Sequence, residues 1–75
     1  MINDKLPPHD PEAEKAVIGS LLVDGEAIFK VAVFLEPEAF FVAENQWIYD
    51  ACLGLYQRLE AINQITVAHE LARRG

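Results

Sequence analysis

The chain has 75 residues, a net charge of −6 and a hydrophobic content of 52%. This length allows one small domain at most, and such a domain buries only about 60% of the surface of its unfolded chain. The single cysteine, Cys52, excludes an internal disulfide and fits a reducing, cytoplasmic setting. No apolar run approaches the roughly 18 residues of a membrane helix. The six basic residues form no stripe, so we expect no direct nucleic-acid site. The high hydrophobic content indicates more apolar surface than one small core can bury, and we infer that protein partners cover the rest.

The first predicted helix has a strong start signal. Residues 1–9 contain two adjacent prolines and little apolar pattern, so we interpret them as a flexible N-terminal arm ahead of one domain at residues 10–75. Asp10 is a suitable N-cap, and Pro11 occupies the first helical position, where its missing N–H has no cost. The apolar spacing then predicts a helix over residues 11–23. Its buried stripe is expected to contain Ala13, Val17 and Leu21.

Two features of this helix raise the question of a site. Glu12 and Glu14 are two residues apart and do not face each other on a helix, so they cannot form a close acid–base pair. We interpret both as first-turn charges that the helix dipole stabilises. Gly19 costs about 1 kcal/mol of helix propensity relative to alanine. We expect the third helix to pack closely on Gly19, so that Gly19→Leu would destabilise the domain by more than this cost.

A second helix is predicted from an N-cap at Asp24 to about Leu35, because Pro37 restricts the residue before it to extended conformations. The segment from Pro37 to Phe41 is expected to form one short helical turn, with Phe40 and Phe41 in the core. The buried stripe of the second helix is predicted to contain Ile28, Val31, Ala32 and Leu35.

The third predicted helix, over residues 43–59, has a wide apolar arc. Its apolar residues cover roughly 200° of a helical wheel, whereas a surface helix needs an apolar stripe of only somewhat more than about 100°. We therefore expect this helix to pack on two sides, against the core and against a partner. Cys52 is interpreted as a small core residue. Because aromatic residues are enriched in interfaces, the predicted partner surface contains Trp47, Tyr49, Leu53 and Tyr56.

A connector and a short final helix complete the predicted domain. Thr66 is the predicted N-cap of a helix over residues 67–74, and Ile62 and Ile65 in the connector are available to pack. Two arginines suit the negative C-terminal end of this helix, and Gly75 can adopt the left-handed C′ conformation. About four main helices and one short helical turn predict a small all-α domain, an orthogonal helical bundle.

No group of residues has the spacing of a catalytic or metal site. The two histidines, His9 and His69, and the lone Cys52 do not supply the four closely spaced ligands of a structural metal site. The stretch GSLLVDGEA lacks the G-x-x-x-x-G-K-S/T pattern of a phosphate-binding loop and carries a glutamate where lysine is needed. We therefore predict no enzymatic activity, no metal and no cofactor for this chain.

The order of these elements resembles a known family. The stretch PPHDPEAEKAVIGSLLVD, residues 7–24, is similar to the opening of replicative DNA helicases of the DnaB type, with prolines, a capping residue, Glu-Ala-Glu, a glycine and a leucine-rich stretch. FLEPEAFFVAENQWIYDACLGLYQR resembles the helix that follows in that family, and INQITVAHELARRG resembles the next segment. The resemblance covers about residues 6–75.

This resemblance implies a function in assembly. In the family, an all-α N-terminal domain forms the collar of a hexameric ring and binds the primase. A helical hairpin and a RecA-like ATPase domain follow, and the ATPase domain uses ATP and magnesium to move along single-stranded DNA. We expect the chain to be the part that precedes both, which is a non-catalytic assembly and primase-docking domain of a helicase that acts in DNA replication.

Two other classes of protein stay open for this chain. A primase carries a helicase-binding domain of similar fold at its C-terminus, although the N-terminal position of the Glu-Ala-Glu motif speaks against it. A stand-alone adaptor that mimics the helicase collar is the second. The coding sequence beyond Gly75 separates these classes, because a nucleotide-binding loop a few hundred residues further on would indicate the helicase.

Overall fold

The computed structural model describes residues 10–75, which contain four α-helices and no strand. Helix α1 spans Pro11–Val23, α2 spans Ile28–Val31, α3 spans Ala43–Gln57 and α4 spans Gln64–Arg74. Two 3-10 turns, Gly25–Ala27 and Pro37–Ala39, lie on either side of α2. The predicted all-α class is confirmed, and the predicted arm at residues 1–9 lies outside the described residues. No helix within residues 10–75 has both the length and the apolar content to cross a membrane.

Helix α1 begins and ends where the sequence predicts. Asp10 Oδ1 accepts a hydrogen bond from Ala13 N at 3.1 Å, and Pro11 occupies the first helical position. Its most buried line differs from the prediction, because it consists of Glu14, Ile18 and Leu21. Of the predicted stripe, only Leu21 is fully buried, and the other two residues are half-buried at its edge.

Gly19 does not make the predicted close contact. It lies on the exposed side of α1, where an added Cβ atom would meet nothing within 4 Å outside the local backbone. The prediction that α3 packs on Gly19 is therefore wrong, and Gly19→Leu has no steric reason to destabilise the domain. The close approach occurs instead at Gly25, where an added Cβ would collide with the carbonyl oxygen of Ile62.

The second helix is shorter than predicted. Asp24 is an N-cap as expected, but it caps the 3-10 turn Gly25–Ala27, since its Oδ1 accepts a hydrogen bond from Glu26 N at 3.2 Å. The α-helical part ends at Val31, and a turn leads to Leu35. Of the predicted stripe, Ile28 and Leu35 are buried. Val31 and Ala32 are half-buried.

The two phenylalanines after the turn Pro37–Ala39 lie in different environments. Phe40 is buried, and its ring centroid lies 5.1 Å from that of Tyr49. Phe41 is 58% exposed, so the prediction that both rings fill the core is wrong for Phe41. The backbone at Phe40 is extended, and successive side chains of an extended segment point to opposite sides.

Helix α3 lies at the centre of the domain, in contact with α1, α2, α4 and the turn Pro37–Ala39. These neighbours cover much of its wide apolar arc, so the arc by itself does not require a partner. The buried core, drawn from the four helices and the segments between them, consists of Ile18, Leu21, Ile28, Leu35, Phe40, Tyr49, Ala51, Cys52, Leu55, Ile62 and Val67.

Helix α4 begins earlier than predicted, because Asn63 rather than Thr66 is its N-cap. Asn63 Oδ1 accepts hydrogen bonds from Ile65 N at 2.9 Å and Thr66 N at 3.0 Å. Thr66 Oγ1 accepts from Asn63 N at 2.9 Å, so Thr66 is the second member of a capping box. Ile65 is exposed and Ile62 is buried. The C-terminal Gly75 has a φ of +82°, in agreement with its predicted left-handed conformation.

Removal of this cap is expected to lower the free energy of unfolding by about 1 kcal/mol. In Asn63→Ala, two backbone N–H groups at the start of α4 lose their acceptor. Urea denaturation followed by circular dichroism measures the loss. Gln64→Ala is the matched control, because Gln64 is the exposed neighbour of the cap. An equal effect of both substitutions would contradict the role of Asn63.

Candidate protein-interaction surfaces

Residues 10–75 contain no group of three or more His, Cys, Asp or Glu side chains arranged to hold a metal ion. His69 is exposed on α4, as predicted, and His9 lies outside the described residues. Cys52 is completely buried on α3, and burial raises the pKa of its thiol to about 11. The thiolate is the reactive form of cysteine, so the buried Cys52 is inert and has the predicted core role.

Glu14 is a buried carboxylate that joins α1 to the segment before α3. It is 1% exposed, and it accepts hydrogen bonds from Phe41 N at 2.6 Å, Val42 N at 3.2 Å and Asn45 Nδ2 at 2.9 Å. Burial raises its pKa, but the three hydrogen bonds outweigh burial and hold the pKa of Glu14 below its ordinary value. The helix-dipole interpretation missed this role, since its partners lie 27 or more residues away.

Glu70 on α4 is a second buried carboxylate, and three arginines surround it. Its carboxylate accepts hydrogen bonds from Arg58 Nη2 at 2.7 Å, Arg74 Nε at 2.8 Å and Arg73 Nη2 at 2.8 Å. These hydrogen bonds hold the pKa of Glu70 at about 2. Arg74 also contacts Asp50 of α3 at 2.6 Å. Of the two last-turn arginines, Arg74 therefore joins α4 to α3, whereas Arg73 pairs with Glu70 of its own helix.

Acid is expected to destabilise the domain as the pH falls from about 4.5 to about 2. The folded-state pKa is about 2 for Glu70 and is lowered for Glu14, whereas unfolding returns both to the ordinary value of 4.5. The unfolded chain then binds more protons, so the stabilisation is complete above the unfolded pKa and is lost as pH falls through the folded pKa. Urea denaturation at a series of pH values measures this slope. Glu70→Gln should reduce it, and an unchanged slope would contradict the assignment.

The four residues of the predicted partner surface do not form one face of α3. Tyr49 is 0% exposed, and its hydroxyl donates a hydrogen bond to Leu35 O at 2.7 Å, so its prediction as an interface residue is wrong. Trp47 is 62% exposed, and Leu53 and Tyr56 are half-buried. Trp47 and Tyr56 are nine positions apart, which places them on opposite sides of a helix. Trp47 and Tyr56 therefore belong to different surfaces, and Leu53, three positions before Tyr56, lies on the side of Tyr56.

Trp47 lines a groove of about 660 Å³ between α3 and α4, here called the tryptophan groove. Ile48 and Leu71 contribute apolar surface, and charged groups of both signs, including Glu44 and Arg74, lie at its edges. A wide apolar groove with an exposed tryptophan is a typical place for a protein contact, since tryptophan is enriched among the residues that contribute most to binding.

A second groove, of about 390 Å³, lies beside the C-terminal end of α3 and is here called the leucine groove. The ring of Tyr56 meets that of Phe29 edge-on, with centroids 5.4 Å apart. Leu59 lies at the same groove, 92% exposed and with a φ of +61°. Sequence reasoning missed Leu59 because it extended α3 to this residue, and no glycine indicates the left-handed position.

The fold and these surfaces define a small all-α domain built around one central helix, with two apolar grooves open on its surface. A model of the family "DnaB-like helicase N terminal domain" matches residues 6–75, which is nearly the whole chain. The chain therefore belongs to the DnaB-like helicase N-terminal domain family.

Several relatives are replicative DNA helicases. The chain is 39% identical over 72 residues to the replicative DNA helicase DnaC of Bacillus subtilis, 37% over 71 residues to DnaB of Rhodothermus marinus and 44% over 69 residues to DnaB of Mycobacterium leprae. These alignments cover 96%, 95% and 92% of the chain but only 16%, 8% and 11% of the relatives. Comparison with solved structures finds no significant match.

Proposed function

We propose that the chain is the N-terminal domain of a replicative DNA helicase, in which it is a non-catalytic assembly and primase-docking domain. The family match over residues 6–75, with replicative DNA helicases among the relatives, carries this proposal. The relatives extend far beyond the matched region. The proposal assigns the unwinding reaction, with its ATP and magnesium, to the remainder of such a protein and places that protein in the cytoplasm. The chain's own role is to hold subunits together in the ring and to bind the primase.

The surface of the domain supports a role in protein contacts. Both grooves expose apolar side chains, and a net charge of −6 favours partners with a basic surface. Trp47, Leu53 and Tyr56 stay candidates for such contacts, whereas Tyr49 belongs to the core. The structure therefore offers two accessible surfaces in place of the single one that the helical wheel predicts.

Sedimentation velocity with the purified chain tests the proposal. We expect a complex when the chain is mixed with the primase of the same organism, and no ATP hydrolysis by the chain alone. A complex with the N-terminal region of the replicative helicase, but none with the primase, would contradict primase docking; it is the result expected of a helicase-binding domain of a primase and also of a domain that only assembles the ring. Absence of a complex with either protein would contradict the proposal.

Two exposed apolar residues provide a matched pair for mapping this contact. Trp47→Ser removes the exposed ring of the tryptophan groove, and Val23→Ser removes an exposed side chain at the end of α1. We expect weaker primase binding or weaker self-association in the first variant and unchanged behaviour in the second. Equal behaviour of both variants would remove the tryptophan groove from the contact surface.

A further inference from the structure

Leu59 occupies a position that ordinarily favours glycine. After α3 ends, Glu60 N donates to Leu55 O at 2.9 Å and Leu59 N donates to Tyr56 O at 3.1 Å, which is the bonding of a Schellman motif. Leu59 is the C′ residue of this motif, and its φ of +61° is left-handed. A left-handed backbone is unfavourable for leucine because its Cβ approaches a carbonyl oxygen. Folding also leaves this large apolar side chain almost fully exposed.

The surroundings of Leu59 are apolar at the floor and acidic at the rim. Ile28 and Ile62 form the floor together with the rings of Phe29 and Tyr56, and Glu26 and Glu60 lie at the rim, where Arg58 Nε contacts Glu60 at 3.2 Å. Among the described residues 10–75, no lysine or arginine lines this groove. A volume of about 390 Å³ lies near the lower end of the roughly 300–1,000 Å³ of small-ligand sites, so it holds a few side chains but not a folded domain.

We infer that the leucine groove docks a short segment of another protein, in which apolar anchor side chains are flanked by lysine or arginine. The inference deepens the proposed function and rests on it for the kind of ligand, a protein partner. The apolar floor and the exposed Leu59 receive the anchors, and Glu26 together with the net charge of −6 attracts the basic flanks. Leu59 adopts an unfavourable backbone conformation and yet stays exposed in the free chain. This combination is consistent with a contact that Leu59 makes in a complex with the partner segment.

Charge argues against a second copy of the chain as the occupant. Two copies joined through this groove would bring Glu26 of both copies into the same contact, which is unfavourable. The net charge of −6 also makes two copies repel each other. Arg58 pairs with the rim residue Glu60 and with Glu70, and Arg73 and Arg74 pair with Glu70, so these three arginines are already engaged within their own chain.

Binding of two designed peptides to the whole chain tests the inference. One is a helical peptide with leucines on one face and lysines at the flanks, and the other has glutamate in place of each lysine. In proton–nitrogen correlation spectra we expect saturable shifts at Phe29, Tyr56 and Leu59 with the lysine peptide only. Affinity should fall as salt rises, because the rim is exposed to solvent. Shifts confined to other surfaces would overturn the inference.

Two variants separate docking from nonspecific attraction to an acidic protein. Leu59→Gly should weaken lysine-peptide binding at least tenfold and raise the midpoint of thermal unfolding, since glycine accepts the left-handed conformation. Glu26→Lys should weaken binding most at low salt. Ile65→Ser, at an exposed isoleucine of α4, is the control and should leave binding unchanged. Unchanged affinity in Leu59→Gly would overturn the inference.

Failure of this inference differs from failure of the proposed function. If the native chain and Leu59→Gly bind the primase equally, the proposed function stands and the leucine groove is not its docking site. If the lysine peptide binds at the groove but the primase does not bind the chain, the docking chemistry stands and the primase is the wrong partner. A dimer of the native chain that dissociates in Leu59→Gly would show that a second copy is the occupant, which overturns the inference.

Discussion

Glu14→Ala is expected to lower the free energy of unfolding by about 3 kcal/mol, because several neutral donors lose their hydrogen bonds to a buried charged acceptor. The substitution takes the acceptor from two backbone N–H groups, of Phe41 and Val42, and from the side-chain amide of Asn45. A chain of this length has a total stability of about 4–11 kcal/mol, so the loss is a large fraction of it. Urea denaturation measures the change.

Two further variants show whether the effect comes from these hydrogen bonds. Glu12→Ala removes an exposed glutamate from the same helical turn and should cost no more than a few tenths of a kcal/mol. Glu14→Gln keeps one acceptor oxygen but places an NH₂ donor among three donors, so it should fall between the native chain and Glu14→Ala. A loss in Glu12→Ala as large as that in Glu14→Ala would show that the helix dipole, and not the long-range contacts, is responsible.

Opposite effects are expected from the same substitution at two glycines. In Gly25→Ala the new methyl group collides with the carbonyl oxygen of Ile62 and comes within 3.0 Å of the Ile62 Cβ, so the connector must move. We expect a loss of about 2 kcal/mol, the usual size for overpacking. Gly19→Ala adds a methyl group in open space on α1 and should raise the stability by up to about 1 kcal/mol through helix propensity.

Thermal unfolding of both variants followed by circular dichroism provides the comparison, and each variant is the control for the other. A higher unfolding midpoint for Gly19→Ala and a lower one for Gly25→Ala is the expected result. Destabilisation of both to the same extent would mean that α1 also packs closely at Gly19, contrary to the structure. Stabilisation of both would mean that the connector at Ile62 yields without cost.

Local signals were sufficient for helix α1 and for the all-α class. The N-cap at Asp10, the proline at the first helical position and the apolar spacing act within one or two turns, and α1 spans the predicted residues. At α4 the same kind of signal was ambiguous, because Asn63 and Thr66 are both capping residues and the sequence does not show which one begins the helix.

Long-range packing decided the features that the sequence did not predict. A helical wheel shows that α3 is apolar on several sides but not which neighbour covers each side, so Tyr49 was assigned to a partner although it packs in the core. Glu14 had an adequate local explanation, and its hydrogen-bond partners lie in a distant segment. The groove at Leu59 was unpredictable in the same way, because it requires the end of α3, the connector and the segment around Phe29 to meet.

The complete burial of Cys52 makes its thiol a probe of how often the domain opens. A thiol with a pKa near 11 and no exposed surface cannot react with a soluble disulfide reagent until α3 separates from its neighbours. When refolding is faster than labelling, the labelling rate is proportional to the population of the opened form. The native chain should therefore react slowly in buffer and at once in urea. The same reaction would rank the variants of Glu14, Gly25 and Leu59 by their opening equilibria without any denaturant.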